Sequence, residues 1–117
     1  MPSLFEPGGI VQHEFFVAST PVIAFKTGGL KDTVFEFEAQ SGKGNGFNFH
    51  EHRAGELYYA CERAMKTYSD QNSYELLRKN AFESVIDVAD VARAWVKEFH
   101  RLFGKVNNYL FFIFFQL

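Results

Sequence analysis

Two glutamates flanking a glycine turn are the residues best placed to do chemistry. Glu6 and Glu14 are separated by seven residues, and Pro7-Gly8-Gly9 follows directly on the first. Glycine has no Cβ, so backbone N–H groups at such a turn can approach a ligand closely. A helix starting just beyond would add unpaired N–H donors and a partial positive charge, suited to hydroxyl or phosphate oxygens. A carboxylate on each side of the turn can accept hydrogen bonds from sugar hydroxyls. Together they describe a polyol-and-phosphate site, and open α/β sheets bind such ligands beyond the carboxyl ends of their strands. Taken alone, the two acids would also serve as helix-capping and surface carboxylates. Capping gives no reason for the glycine signatures downstream.

The other candidates are thinner. Gly28-Gly29 by itself is an ordinary turn signal. His50 and His52 alternate as on a strand end, which predicts a shared face. No third ligand is near and zinc takes three or four, so no metal is expected. His13, beside Glu14, reads as a helix residue near the site rather than as an acid or base. Cys61 falls on a helical apolar stripe and is expected to be a buried apolar residue. It is the only cysteine, so no intrachain disulfide forms and a reducing compartment is the default.

These residues need elements to hold them. Val22-Ile23-Ala24-Phe25, between Pro21 and Gly28-Gly29, is predicted to be a buried parallel strand. Gly9–Ala18 is free of proline and predicted to be a helix. Gln40–Gly46 is a loop, and Phe47-Asn48-Phe49 is a short strand of alternating character. Leu57, Ala60, Cys61, Ala64, Met65 and Tyr68 form one apolar stripe at helical spacing. Ser69-Asp70 ends that helix, and Ser73 is expected to cap the next, which carries Leu76, Leu77 and Ala81. Asp87 is expected to cap a third helix with Val88, Val91, Ala92, Trp95, Phe99 and Leu102 on its apolar face. Gly104 is expected to close it as a C-terminal cap. Trp95 and Phe99 read as core or lobe-packing residues. Strands interleaved with helices, then a run of helices, give an α/β fold with a small parallel sheet.

Composition sets the outer limits. At 117 residues the chain is one small domain at most. A net charge of −2 argues against nucleic acid as the main partner, because phosphate neutralisation needs a basic patch. Hydrophobic residues at 47% and charged ones at 22% exclude a disordered chain. The amino terminus lacks the basic and apolar regions of a secretory signal. The most apolar run, residues 109–115, falls well short of the roughly 20 that cross hydrocarbon, so no transmembrane segment is expected.

A wider pattern emerges when the motifs are taken in order. Pro2-Ser3-Leu4-Phe5-Glu6-Pro7-Gly8-Gly9-Ile10 is followed by Thr20-Pro21-Val22 and by Lys26-Thr27-Gly28-Gly29-Leu30-Lys31-Asp32-Thr33-Val34, then by Gly44-Asn45-Gly46-Phe47. This resembles the carboxyl-terminal lobe of glycogen and starch synthases and extends to about Lys105. Glu6 and Glu14 also match the E-x7-E pattern of retaining glycosyltransferases with two Rossmann-like lobes. The resemblance implies transfer of glucose from ADP-glucose or UDP-glucose to the non-reducing end of an α-1,4-glucan, with retention and without a cofactor. Glu6 then resembles the catalytic carboxylate that binds the donor glucose and supports the developing oxocarbenium. The amides of Gly8, Gly9 and Ile10 resemble those that meet glucose and diphosphate, and Glu14 resembles the glutamate that holds the ribose hydroxyls. Thr27, Gly28 and Gly29 are similar to a second glycine signature at the rim of the site.

The sequence also departs from that family. The usual Glu-Pro-Cys-Gly-Leu is Glu-Pro-Gly-Gly-Ile here, and Asp87-Val88 stands where a Ser-Trp pair is common. The resemblance implies an amino-terminal lobe with a lysine–glycine–glycine loop, and first carboxyl-lobe strands with an arginine and a lysine for the diphosphate. None of these is in the sequence. The expectation is a partial carboxyl-terminal lobe at residues 1–105, inactive alone because electrostatic stabilisation is usually the largest catalytic term. Its exposed sheet edge predicts aggregation. Residues 106–117, rich in Phe, lie outside the resemblance. They read either as a partner or membrane-surface contact or as translated non-coding sequence, and their charge-free aromatic run favours the second. A cytoplasmic location is expected, with a plastid as the alternative. The rival functions are a non-catalytic nucleotide-sugar or glucan-binding module and a structural piece that interacts through its aromatic surface.

Overall fold

Four apolar residues caught between Pro21 and a glycine pair form strand β1, Val22–Phe25, which pairs in parallel with β2, Gly46–Phe49. Val22 stands opposite Gly46 and Phe25 opposite Phe49. This computed structural model describes the backbone of residues 1–115 and the side chains of residues 1–105. The chain forms two units, Met1–Val85 and a second beginning at Ile86. The first runs α1 (Val11–Val17), β1, a one-turn α2 (Leu30–Thr33), β2, α3 (Ala54–Ser69) and α4 (Gln71–Glu83). The second contains α5, Val88–Phe115. The architecture is the expected α/β one, with a small parallel sheet followed by helices.

β1 is hydrogen-bonded along both edges. Besides its pairing with β2, the Met1 amino group donates to the Ile23 carbonyl at 2.6 Å and the Phe25 amide to the Met1 carbonyl at 3.0 Å. The outer edge of β2 is closed in two ways. The Gly46 amide donates to the Phe35 carbonyl at 3.1 Å, and the Phe37 amide to the Gly46 carbonyl at 2.9 Å. Two residues on, the Asn48 amide donates to the Glu36 carboxylate and Arg63 to the Asn48 carbonyl, both at 2.7 Å. Arg63 also donates to Glu36 at 2.8 Å.

Alternation along β1 splits the core. Val22 and Ala24 join Phe16, Leu30, Val34 and Ala81 in one buried cluster, while Ile23 packs against Phe37, Phe47 and Leu77 in another. Burying a side chain such as Phe16 or Leu77 contributes about 1.5–3 kcal/mol. β2 corrects the expectation of alternation, for all four of its residues are buried. Asn48 can go inside because its side-chain amide donates to the Val34 carbonyl at 2.8 Å.

The helices also differ in detail from the sequence reading. On α3 the buried stripe is narrower than predicted, since Met65 and Tyr68 are exposed and Cys61 is only half-buried. The cap of α4 is Asp70, not Ser73. One residue separates α3 from α4, so Asp70 must be extended and Ser73 falls within the first turn, where it donates to Asp70. Asp87 does cap α5, accepting from the Ala89 amide at 2.7 Å. Gly104 does not end that helix, which continues to Phe115. A mid-helix glycine costs about 1 kcal/mol relative to Ala, a penalty the helix survives when no proline or left-handed residue follows. Trp95 and Phe99 pack on each other with ring centroids 5.6 Å apart and are more than half exposed, so they are not core residues. The side chains of residues 106–117 lie outside the described residues, and both readings of that tail with them. No described helix is long and apolar enough to cross a membrane.

Candidate functional site

Pro7 and two glycines turn the chain between Phe5 and α1, and this turn rests on the loop that leaves the carboxyl end of β1. The contact is mostly backbone on backbone, with one threonine hydroxyl added. The Gly29 amide donates to the Glu6 carbonyl at 2.9 Å, and the Thr27 hydroxyl to the Leu4 carbonyl at 3.2 Å. Gly28 adopts φ +45°, and a Cβ there would stand 1.9 Å from the Glu6 carbonyl oxygen. A Cβ on Gly29 would stand 2.5 Å from that of Gly8. Only glycines permit this approach, which joins Glu6, Gly8 and Gly9 to Thr27, Gly28 and Gly29.

Each predicted site residue has a definite place. Glu6 is half-buried, and its carboxylate accepts from the Gly9 amide at 3.3 Å. Gly9 is buried with φ +60°, whereas Gly8 is exposed with open space where a Cβ would be. Ile10 precedes α1 with its side chain exposed. The amides of Gly8 and Ile10 donate to no protein atom among the described residues. Glu14, in the first turn of α1, is exposed and shares no hydrogen bond with the Glu6 turn among the described residues.

A cavity of about 410 Å³ opens just past the strand ends, lined by Lys26, Lys31, Glu36, Asn48, His50 and Arg63 among others. Lys26 directly follows β1 and His50 directly follows β2, so it occupies the end of the sheet where α/β folds take ligands. His50 and His52 do not share a face. β2 ends before them, and His52 turns away to lie 2.8 Å from the Pro2 carbonyl with its ring edge-on to Phe25. No group of three or more His, Cys, Asp or Glu among the described residues is placed to hold a metal.

Sequence reasoning missed Gln12 and Thr33. Gln12 is fully buried, and its side-chain amide donates to the Thr33 hydroxyl at 3.0 Å. Thr33 in turn donates to the Gly29 carbonyl at 2.8 Å. The available signal was spacing, because Gln12 lies four residues before Phe16 and so faces inward on α1.

No family model matches the chain. Curated relatives do. It is 44% identical over 84 residues to a glycogen synthase of Clostridium botulinum, covering 72% of this chain and 18% of that protein. It is 40% identical over 109 residues to one of Desulforudis audaxviator, covering 92% and 22%. The chain spans about a fifth of the length of the curated relatives it matches. Among solved structures it resembles the catalytic domain of starch synthase IV from Arabidopsis thaliana, bound to ADP and acarbose. There the TM-score is 0.71 at 30% identity, covering 86% of this chain and 21% of that one.

Proposed function

We propose that this chain forms part of the donor site of a glycogen or starch synthase, a retaining glucosyltransferase acting on nucleotide-glucose and an α-1,4-glucan. One observation carries the reading: the two glycine signatures are packed backbone to backbone around Glu6 at the carboxyl end of β1. Unrelated turns would have no reason to leave no room for a Cβ at both Gly28 and Gly29. In this arrangement Glu6 takes the glucose hydroxyls and faces the charge that develops at the anomeric carbon. The amides of Gly8 and Ile10 meet the sugar and the diphosphate. Glu14 holds the ribose, and Thr27 with Gly28 forms the rim.

ADP in the Arabidopsis neighbour supports ADP-glucose over UDP-glucose as the first donor to try. The departing diphosphate needs cations to stabilise its charge. In this reading they come from an amino-terminal lobe and from strands beyond these residues, so residues 1–117 bind donor without transferring glucose.

Titrating the isotope-labelled chain with ADP-glucose, UDP-glucose and a malto-oligosaccharide tests this by nuclear magnetic resonance. Saturable shifts at Gly8, Gly9 and Ile10 with a nucleotide-glucose are expected. No shift there at millimolar donor, or glucose incorporation by these 117 residues alone, would overturn the reading.

A further inference from the structure

We propose that Gln12 is a positioning residue: acting through Thr33, it locks the Thr27–Gly29 loop to the Glu6 turn so that both loops meet the donor as one rigid unit. This rests on the donor-site reading above.

The contacts form a closed circuit. From the Gln12 side-chain amide it passes to the Thr33 hydroxyl, then to the Gly29 carbonyl, from the Gly29 amide to the Glu6 carbonyl, and from the Glu6 carboxylate to the Gly9 amide. Gly9 closes it by lying against Gln12, since a Cβ on Gly9 would stand 2.6 Å from the Gln12 side-chain nitrogen. Thr33 can relay because a hydroxyl both accepts and donates, and the two bonds polarise in the same direction. Burying an amide is costly unless it is bonded, so a simple space-filling role at Gln12 would be better served by an apolar side chain. The Gln12 carbonyl oxygen is buried with no partner among the described residues. Its hold on the circuit therefore runs through the nitrogen alone.

Two substitutions remove the bonds while keeping the shape. Gln12→Met retains length without a donor, and Thr33→Val retains branching without a hydroxyl. In the full 117-residue chain each should speed hydrogen exchange at the Gly29 amide about tenfold, leaving the Ala60 and Leu77 amides unchanged. The double variant should add nothing further, Thr33→Ser should restore the native rate, and ADP-glucose affinity should fall in step with Gly29 exchange. Unchanged Gly29 exchange in Gln12→Met, or an equal rise at Ala60 and Leu77, overturns the proposal. If the exchange pattern holds but the unmodified chain binds no nucleotide-glucose, the lock stands and the donor-site reading falls. If the unmodified chain binds and Gln12→Met binds equally well, the reading stands and the positioning role falls.

Discussion

Two glycine-rich loops sit at opposite ends of the small sheet and are held by different means. The loop leaving β1 touches its partner turn chiefly through main chain, with Gly28 and Gly29 pressed against Glu6 and Gly8 and side-chain hydroxyls of Thr27 and Thr33 bracing it. The loop entering β2 is held by side chains. Asn80 donates to the carbonyls of Gly42 and Gly44, both at 2.8 Å, and Asn45 bridges the Thr33 carbonyl and the Ser84 hydroxyl. A cavity of about 420 Å³ lies there too, lined by that loop and the end of α4, with the Asn80 and Asn45 side-chain amides spent on protein acceptors. Glycine content alone therefore does not tell the two apart. The difference is that the turn packed on the first loop lies by the carboxyl end of β1 and leaves the Gly8 and Ile10 amides unspent among the described residues.

The contrast can be broken most forcefully at Gly28. In Gly28→Ala, backbone strain and loss of the Gly29–Glu6 hydrogen bond together should cost about 3–5 kcal/mol. Urea melts would measure it, and a loss under about 1 kcal/mol would mean the two turns are not packed together. Asn80→Leu strikes the other loop. Two carbonyls lose their donor, so stability should drop by about 1–3 kcal/mol, while shifts induced by nucleotide-glucose stay as in the unmodified chain. Glu6→Gln reverses that signature, with a melting temperature close to native and donor affinity down about tenfold, the loss of one charge-assisted bond. The smallest effect belongs to Gly8→Ala. Its Cβ would enter open space, so stability should stay within about 0.5 kcal/mol and donor shifts should persist.

Much of this was legible from residue order because it depends on local pattern. β1 has the bounds that Pro21 and the glycines suggested, and α3 ends at Ser69 as read. Asp87 caps α5 because a cap needs only its own helix. The failures share a cause, which is distance along the chain. Asn48 reads as an outward residue until Val34, fourteen positions away, takes its amide. Spacing to Phe16 turns Gln12 inward, but its partner shows only when Thr33, twenty-one positions on, accepts from it. Gly104 shows the converse, since a glycine stops a helix only if the following residues leave it. The motif order singled out Glu6 and the glycines that the fold brings together, but not the Gln12–Thr33 hydrogen bond behind them.

The ion pair at the edge of β2 has a consequence for how the molecule meets its neighbours. Glu36 and Arg63 occupy the amide and carbonyl of Asn48 that an additional strand would otherwise use. They act as a removable plug made of charge, and both side chains keep a third or more of their surface in solvent. With Phe35 and Phe37 already bonded to Gly46, no ladder group is left open at Asn48, and a neighbouring copy meets charge instead of a bare strand edge.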